Sequence, residues 1–335
     1  MSDQQQQYVL VTGGAGFIGS HVVERALREG YHVTVLDDLR TGSLYNLRPF
    51  QSHPSFVFVH HNVQHPFPPS ITVRPAGQRF SFIYHLACAA SPVHYQADSI
   101  GTTLTCVNGT HNVLLLATQQ DCPVFIASTS EVYGDPLVHP QQEPYFGNVN
   151  CISVRSCYDE GKRCAEALCF DFHRTHKTKI RVARIFNTYG PRMSFNDGRV
   201  ISNFIVQALE NKDITVYGTG EYTRSYQYVD DLVEGMWRLI RHPTETGPVN
   251  LGNPGEYTVG DTAKMILAMV PESASKIVNL PPLPDDPQRR RPDITKAKAV
   301  LGGWEPKIPV QEGLAKTLAE FRERFEAQQQ EKQQQ

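Results

Sequence analysis

The chain has 335 residues, a length that suits two lobes better than a single core. Hydrophobic residues make up 40% of it and charged residues 20%, and the formal net charge is −2 at pH 7. This balance predicts no nucleic-acid partner and no attraction to an anionic membrane. No apolar run approaches the ~18 residues of a membrane-spanning helix. The opening "MSDQQQQYVL" lacks the regions of a secretory signal, so we expect a cytoplasmic protein.

Short apolar runs alternate with helix-like patterns through the first half of the chain. The runs are "YVLVTG", "HVTVLDD", "SFVFVHHNV", "FSFIYHLA", "CPVFIASTS" and "KIRVARIFN". Segments such as "FIGSHVVERALREG", with helical periodicity and a glycine stop, lie between them. This alternation predicts β-α-β units with right-handed crossovers, and therefore an α/β fold with a doubly wound parallel sheet.

The pattern changes after about Ile185, where proline and glycine become frequent and the apolar runs shorten. We interpret this part as a smaller lobe over the carboxyl ends of the strands, where such folds bind ligands. The two ends of the chain are rich in glutamine, and we expect residues 1–7 and 327–335 to be disordered.

Cysteine and histidine usage predicts no metal site. The seven cysteines are odd in number and include no C-x-x-C, which argues against a disulfide framework and a zinc ribbon and favours reduced thiols. His60, His61 and His65 cluster in "HHNVQHP", but no helical i,i+4 pair or acidic neighbour accompanies them, so a solvated loop is the better interpretation.

A glycine-rich stretch, "VTGGAGFIGS", follows the first strand and opens the first helix. Gly13 permits the tight turn, Gly16 lets the backbone approach a pyrophosphate, and Gly19 lets the helix pack on the strand. Asp37 follows about 20 residues on, where it can bind the ribose hydroxyls and repel a 2′-phosphate. We therefore predict NAD rather than NADP, with Arg40 as the one nearby feature that would suit NADP; a purely structural glycine turn is the alternative.

Tyr158 and Lys162 lie four residues apart in "SCYDEGKRCAEAL", which reads as the start of a helix, and so share one helix face. A tyrosine needs a nearby cation to act as a base near neutral pH. Lys162 could favour the phenolate and also reach the nicotinamide ribose. A chance Y-x-x-x-K is the alternative, because the pattern is short.

The stretch "ASTSEVYGD" ends another strand and places Thr129, Ser130 and Glu131 at its carboxyl end. Polar residues at this position point toward the crevice of a doubly wound sheet. They could also serve only as turn caps, but their combination with the glycine loop and the Tyr158–Lys162 pair favours a functional role.

These motifs, followed by RIFNTYGPRM, TRSYQYV, NLGNP, DDP and PDITKAK, occur in an order that resembles the extended short-chain dehydrogenase/reductase superfamily. Within it, the series is most similar to the UDP-glucuronate decarboxylase (UDP-xylose synthase) family, from about Tyr8 to Phe325. The resemblance implies a Rossmann domain over 8–185 with a returning segment near 225–250, and a mainly nucleotide-sugar-binding lobe over 186–326.

The resemblance also implies a reaction. NAD takes hydride from C4 of UDP-glucuronate while Tyr158 removes the O4 proton. The resulting β-keto acid loses CO2, the enolate is protonated at C5, and return of the hydride gives UDP-xylose. NAD is recycled, so the enzyme is a carboxy-lyase.

The site residues implied by the resemblance fall into three groups. The catalytic group is Thr129, Ser130, Glu131, Tyr158, Lys162 and Arg224. The NAD-binding group is Gly13, Gly16, Phe17, Ile18, Gly19, Asp37, Asp38, Thr41, Gly42, Asn62, Val63, Leu86, Thr105, Tyr158, Lys162 and Thr188. The substrate-binding group is Asn187, Arg199, Val200, Asn203, Tyr217, Arg224 and Arg290, with Arg289 or Arg291 as alternatives to Arg290. Arg224 is expected near the substrate carboxylate and Arg290 at the UDP.

Some positions depart from the family pattern. Gly101 and Leu104 stand where lysines are usual, Cys106 where asparagine precedes V-x-G-T, and Asn62 where an aspartate commonly contacts adenine. The lost lysines could weaken substrate binding. Two alternatives therefore stay open: another nucleotide-sugar enzyme, such as a 4-epimerase or a UDP-4-keto-pentose former, and a low-turnover nucleotide-sugar or NAD-binding protein.

The resemblance further implies a homodimer, built through four helices from "TCVNGTHNVLLLATQQ" and "CYDEGKRCAEALCFDFHR".

Overall fold

A computed structural model describes residues 6–73, 75, 78–282 and 289–333 of the chain. The strands are β1 Tyr8–Thr12, β2 His32–Asp37, β3 Phe56–His60, β4 Phe80–His85, β5 Val124–Thr129, β6 Ile180–Ile185, β7 Thr188–Tyr189, β8 Ile214–Tyr217, β9 Thr223–Ser225, β10 Gln227–Tyr228, β11 Val249–Leu251, β12 Glu256–Thr258, β13 Ile277–Leu280 and β14 Arg289–Arg290. The helices are α1 Phe17–Arg28, α2 Pro69–Thr72, α3 Pro92–Ala97, α4 Ser99–Leu104, α5 Thr110–Gln120, α6 Ser156–His176, α7 Val200–Leu209, α8 Val229–Arg241, α9 Val259–Ala268, α10 Thr295–Val300 and α11 Val310–Gln333.

Seven parallel strands form the main sheet in the order β3-β2-β1-β4-β5-β6-β11. The order reverses between β1 and β4, and a reversal of this kind opens a crevice at the carboxyl ends of the strands. The structure thus confirms the predicted α/β fold with a doubly wound parallel sheet. The last strand, β11, lies within the segment near 225–250 that was expected to return to this domain.

Both faces of the sheet are buried, which explains the continuous apolar runs in the sequence. Because side chains alternate along a strand, Val9 and Val11 of β1 pack on one face, in the core that α1 and α8 cover. Tyr8 and Leu10 point to the other face, in the core that α5 and α6 cover. One strand therefore supports two hydrophobic layers.

The second lobe is built from small sheets over the carboxyl ends of the main strands. They are β10-β7, β12-β9-β14 and β13-β8. In the middle one, Arg290 of β14 is the register partner of Arg224 of β9, so two arginines that are distant in sequence lie side by side.

The last helix continues to Gln333, although the glutamine-rich composition predicted a disordered tail from residue 327. Glu, Gln, Ala and Lys are good helix formers, and residues 327–333 extend a helix whose earlier turns bury Leu314 and Phe321. In the predicted amino-terminal tail, residues 6 and 7 are exposed coil. Residues 1–5 and 334–335 of the predicted tails lie outside the described residues.

Candidate active site

A cleft of about 1260 Å³ lies between the carboxyl ends of the main strands and the smaller lobe. All of the residues predicted for the three site groups line it except Asn62. The Asn62 side chain instead accepts a hydrogen bond from the backbone N–H of Gln64 (2.9 Å) in the turn after β3. Of the three candidate arginines at the end of the DDP motif, Arg290 lines the cleft.

The glycine loop is shaped to admit a phosphate group. Gly13 has a φ of +75°, and a Cβ there would lie 2.7 Å from the backbone N of Ala87, so a side chain would be both strained and obstructed. Gly16 stands at the N-cap of α1, and it has no side chain that could occupy the first N–H groups of the helix. Phe17, Ile18 and Gly19, the first residues of α1, line the cleft, and the N-terminus of a helix is a site that binds phosphates. The loop therefore fits a dinucleotide.

Asp37, the expected ribose ligand, is also part of the loop structure. Its carboxylate accepts hydrogen bonds from the backbone N–H groups of Ala15 (3.0 Å) and Leu39 (2.8 Å). Burial nevertheless raises the pKa of Asp37 above its usual value. Arg40, the feature that would suit a 2′-phosphate, forms an ion pair of 3.0 Å with Asp98.

Tyr158 and Lys162 occupy the first turns of α6, as predicted, and both are buried. The Tyr158 ring stacks on Tyr95 with ring centroids 5.1 Å apart. The Lys162 ammonium donates a hydrogen bond of 2.8 Å to the backbone oxygen of Ala127 and lies 5.8 Å from the centroid of the Tyr158 ring.

The influence of Lys162 on the Tyr158 phenolate stays a prediction, because other causes dominate the pKa of this phenol. Burial raises the pKa of the Tyr158 phenol well above its usual value, negative charge on Cys88 and Glu131 adds to this, and a hydrogen bond with Thr129 opposes it.

The strand-end residues Thr129, Ser130 and Glu131 form a turn at the mouth of the cleft. The Thr129 hydroxyl accepts a hydrogen bond from the backbone N–H of Glu131 (3.2 Å), so the turn-cap interpretation also holds. Thr129 thus has two contacts, one with its own turn and one with the phenol of Tyr158.

Glu131 is the centre of a buried charge cluster. Its carboxylate forms ion pairs with Arg155 (3.0 Å) and Arg290 (3.3 Å), and all three side chains are 12% exposed or less. Burial opposes the charged form of Glu131, but the two guanidinium groups outweigh it and lower the pKa of the carboxyl below its usual value. Arg290 therefore lies beside the strand-end carboxylate, and its expected contact with the UDP stays a prediction.

Asp159, which the sequence analysis did not single out, belongs to the same cluster. It is buried, and its carboxyl hydrogen-bonds to that of Glu131. Burial, together with the charge and the hydrogen bond of Glu131, raises the pKa of Asp159 to about 8. The Glu131–Asp159 pair thus retains one proton at neutral pH. In the sequence, the only indication of a role for Asp159 is its position directly after Tyr158.

The Asp159→Asn variant tests this protonation. A carboxyl with a raised pKa in the folded state binds its proton more tightly than in the unfolded chain, where the pKa is about 3.9. The free energy of unfolding of the parent protein should therefore fall as pH rises from about 4 to 8. We expect Asp159→Asn to lack this loss, and so to gain stability relative to the parent between pH 5 and pH 8. Urea unfolding at pH 5 and at pH 8 measures the free energy of unfolding of both proteins. An equal pH dependence in the two proteins would contradict the raised pKa of Asp159.

The remaining predicted substrate residues surround the other end of the cleft. Arg199 precedes α7 and is ion-paired with Asp197, with 2.8 Å between Nη2 and Oδ2. Asn203, one turn into α7, donates a hydrogen bond to the backbone oxygen of Gly198 (3.1 Å). Tyr217 is 41% exposed at the end of β8. These groups leave an open, polar end suited to a nucleotide.

Comparison with known proteins agrees with this architecture. Residues 10–317 match the family model described as GDP-mannose 4,6 dehydratase. UDP-glucuronic acid decarboxylase 6 of Arabidopsis thaliana is 50% identical over 324 residues, which cover 96% of this chain and 91% of that protein. UDP-glucuronic acid decarboxylase 1 of Xenopus tropicalis is 47% identical over 328 residues, which cover 98% of this chain and 75% of that protein.

Solved structures with the same fold include two nucleotide-sugar enzymes. UDP-glucose 4-epimerase from Thermotoga maritima, solved with UDP-glucose, is 29% identical with a TM-score of 0.86, and the match covers 95% of this chain and 100% of that one. A dTDP-glucose 4,6-dehydratase from Streptomyces venezuelae, solved with NAD bound, is 27% identical with a TM-score of 0.84, and the match covers 95% of this chain and 97% of that one. The chain therefore belongs to the extended short-chain dehydrogenase/reductases that the GDP-mannose 4,6 dehydratase family model describes, and it is similar over nearly its whole length to UDP-glucuronic acid decarboxylases.

Proposed function

We propose that the chain is an NAD-dependent UDP-glucuronate decarboxylase that forms UDP-xylose through a UDP-4-keto-hexuronate intermediate and recycles its NAD. The observation that carries the proposal is the cluster of Glu131, Arg155 and Arg290 beside Tyr158. A decarboxylase of this kind needs a base at a sugar hydroxyl and cations near the sugar carboxylate. Tyr158, Arg155 and Arg290 all line the cleft. Sequence identity of about 50% to the Arabidopsis UDP-glucuronic acid decarboxylases supports the proposed decarboxylase activity.

The residues present fit an NAD molecule. The glycine loop and the N-terminus of α1 would hold its pyrophosphate, Asp37 its adenosine ribose, and Lys162 its nicotinamide ribose. A bound NAD would supply the acceptor for the hydride of C4 and the donor for its return.

The side chains of this chain supply the proton movements. Tyr158 removes the proton of O4, and Thr129 hydrogen-bonds in the same region. The β-keto acid then loses CO2 because the electrons left behind delocalise into the C4 ketone. Ser130 and the Glu131–Asp159 pair, which retains a proton at neutral pH, would assist the protonation of C5. Arg155 and Arg290 balance the carboxylate charges during these steps.

Proton NMR of the sugar tests the proposal directly. The purified protein is incubated with UDP-glucuronate and NAD, and we expect UDP-xylose to appear without stoichiometric NADH. Accumulation of a 4-keto-pentose with NADH would show that the hydride is not returned and that NAD is not recycled. Inversion at C4 alone would indicate an epimerase. Absence of turnover with UDP-glucuronate bound would favour a binding protein.

NAD is expected to be preferred over NADP by about 10²-fold or more in affinity, because the 2′-phosphate would face the Asp37 carboxylate. Arg40, the cation that would suit NADP, is already paired with Asp98. Isothermal titration with each dinucleotide measures the ratio. Asp98→Asn provides the control, since it removes the ion pair of Arg40 and should reduce the preference for NAD. Equal affinities in the parent protein would contradict the role of Asp37.

We further propose that the protein is a homodimer joined through α5 and α6 of each copy. Apolar side chains exposed along the segment that leads into α5 and on α5 itself support this: Ile100 is 77% exposed, Leu104 41% and Leu115 40%. Light scattering coupled to size-exclusion chromatography would give the mass, and a monomer at micromolar concentration would reject the proposal.

We also propose a cytoplasmic location. All seven cysteines are free thiols, a state that persists in a reducing compartment. Among the residues with described structure, none of the helices is long and apolar enough to cross a membrane.

A further inference from the structure

Two thiols meet beside the cleft, close to Tyr158. Cys88 follows β4, lines the cleft and is partly exposed. Cys106 is buried in the single π-helical turn, Thr105–Gly109, between α4 and α5. Their Sγ atoms lie 3.3 Å apart, and one thiol donates a hydrogen bond to the other. Neither thiol has a part in the proposed reaction.

The two sulfurs are close to bonding distance. A disulfide bond is about 2.05 Å long, so the sulfurs must approach by about 1.3 Å. Both lie in backbone that can adjust: Cys88 is in an irregular stretch after β4, and a π-turn is a local departure from regular helix geometry. The other thiols are placed differently. The Cys157 thiol donates to the backbone oxygen of Tyr95 (3.7 Å), Cys122 and Cys169 are buried, and Cys151 and Cys164 are exposed.

The two thiols also differ in reactivity in the way that disulfide exchange requires. The hydrogen bond from Cys106 lowers the pKa of Cys88 to about 7; burial opposes this change, and the nearby Lys162 charge supports it. The hydrogen bond with Cys88 and burial raise the pKa of Cys106 well above its usual value. Cys88 is therefore the thiolate, which is the nucleophilic form, and Cys106 the partner that reacts second.

We propose that Cys88 and Cys106 form a reversible disulfide that switches the site off when small disulfides such as oxidised glutathione accumulate. The Cys88 thiolate attacks one sulfur of the small disulfide, forms a mixed disulfide and releases one thiolate. Cys106 gives up its proton to solvent, and its sulfur attacks the Cys88 sulfur and releases the second thiolate. The protein loses two electrons and two protons, and the small disulfide is reduced to two thiols. The loss of activity, though not the bond itself, rests on the proposed function.

The disulfide would affect both the cofactor loop and helix α6, which carries Tyr158 and Lys162. Cys88 continues the segment whose Leu86–Ala87 peptide packs directly on Gly13 of the phosphate loop, where a Cβ would lie 2.7 Å from the Ala87 nitrogen. Cys106 packs on α6 at Gly161, where a Cβ would lie 3.0 Å from the Cys106 Cβ. Drawing the two sulfurs together therefore shifts the cofactor loop, the helix that carries Tyr158 and Lys162, or both. Displacements of about 1 Å can cost 10²-fold in rate.

Mass spectrometry and activity of the same sample test the proposal. The full-length protein is reduced with dithiothreitol, desalted, equilibrated with glutathione buffers of increasing oxidised fraction, alkylated and digested with chymotrypsin, which can cleave after Tyr95 between the two cysteines. We expect linked peptides containing Cys88 and Cys106, a parallel fall in UDP-glucuronate turnover of about tenfold or more, and recovery of both with dithiothreitol. A persistent glutathione adduct on Cys88 without the linked peptides, or a complete bond with unchanged turnover, would overturn the proposal.

Variants separate this bond from other thiol chemistry. Cys106→Ser should form no linked peptide and should accumulate the glutathione adduct on Cys88, whereas Cys164→Ser, at an exposed position of α6, should behave like the parent protein. Cys106→Asn gives a second variant that lacks the partner. Should the reduced protein show no decarboxylation at all, the linked peptides and weaker NAD binding by the oxidised protein still decide whether the disulfide forms and reaches the site.

Discussion

We expect Tyr158→Phe to lower the rate of UDP-glucuronate decarboxylation by about 10²–10⁴-fold, the usual contribution of a positioned acid–base group. The substitution removes only the phenol oxygen, which interacts with Thr129. The ring remains to stack on Tyr95 and to fill the buried space. Substrate and NAD binding should therefore change little. The initial rate of UDP-xylose formation, followed by NMR, together with NAD titration measures both effects.

Tyr95→Phe is the matched control for this variant. It removes the hydroxyl from the other ring of the same stacked pair, and that hydroxyl is buried with no hydrogen-bond partner among the described residues. Deleting such a group should leave the rate within about twofold and the stability equal or slightly higher. If Tyr158→Phe kept more than a tenth of the parent rate, Tyr158 would not be the base.

The pH dependence of the parent enzyme follows from the same environment. Burial raises the pKa of Tyr158, and a base is active only after it has lost its proton. The rate should therefore rise with pH from pH 6 upward until the pKa of Tyr158 in the complex is passed. The residual rate of Tyr158→Phe should lack this rise, and a parallel rise in both proteins would assign the titration to another group.

The features that could be predicted from the sequence are those set by near neighbours along the chain. A continuous apolar run such as that of β1 predicts a strand buried on both faces. The glycine spacing around Gly13 predicts the phosphate loop because only glycine tolerates that backbone and that close approach. The four-residue spacing of Tyr158 and Lys162 predicts a shared helix face.

The features that could not be predicted are contacts between distant segments and the protonation states that depend on them. Glu131 and Arg290 are 159 residues apart and meet only because β14 pairs with β9. The raised pKa of Asp159 requires burial beside Glu131, and the hydrogen bond from Lys162 to Ala127 requires α6 to pack on β5. The contact between Cys88 and Cys106 likewise joins a strand end to a helical turn. No local pattern encodes these distances.

The positions of Arg224 and Arg290 lead to a second prediction, which reverses the roles expected from the motifs. The two arginines are register partners on adjacent strands, and both are buried. Arg290 forms the ion pair with Glu131, whereas Arg224 Nη1 donates to the backbone oxygen of Thr223 (2.9 Å). We infer that Arg290 acts at the sugar carboxylate and that Arg224 acts on another part of the nucleotide sugar.

Arg290→Lys should therefore lower kcat/KM for UDP-glucuronate by about 10²-fold, because lysine keeps the charge but loses the paired donors that hold two carboxylates at once. UDP-glucose, which differs from the substrate in lacking the carboxylate, provides the test of where the loss arises. Arg290→Lys should bind UDP-glucose nearly as well as the parent protein. Arg224→Lys should instead weaken the binding of UDP-glucose and of UDP-glucuronate by similar factors.

Titration of the two ligands against the parent protein and both variants measures these ratios. Arg289→Lys is the control, because Arg289 precedes Arg290 on the same strand but is exposed and does not line the cleft. It should leave both affinities unchanged. The opposite outcome, with UDP-glucose binding lost in Arg290→Lys and selectivity for the carboxylate lost in Arg224→Lys, would restore the roles that the motifs predict. The ion pair between Arg290 and Glu131 would then serve only to hold the strand-end turn in place.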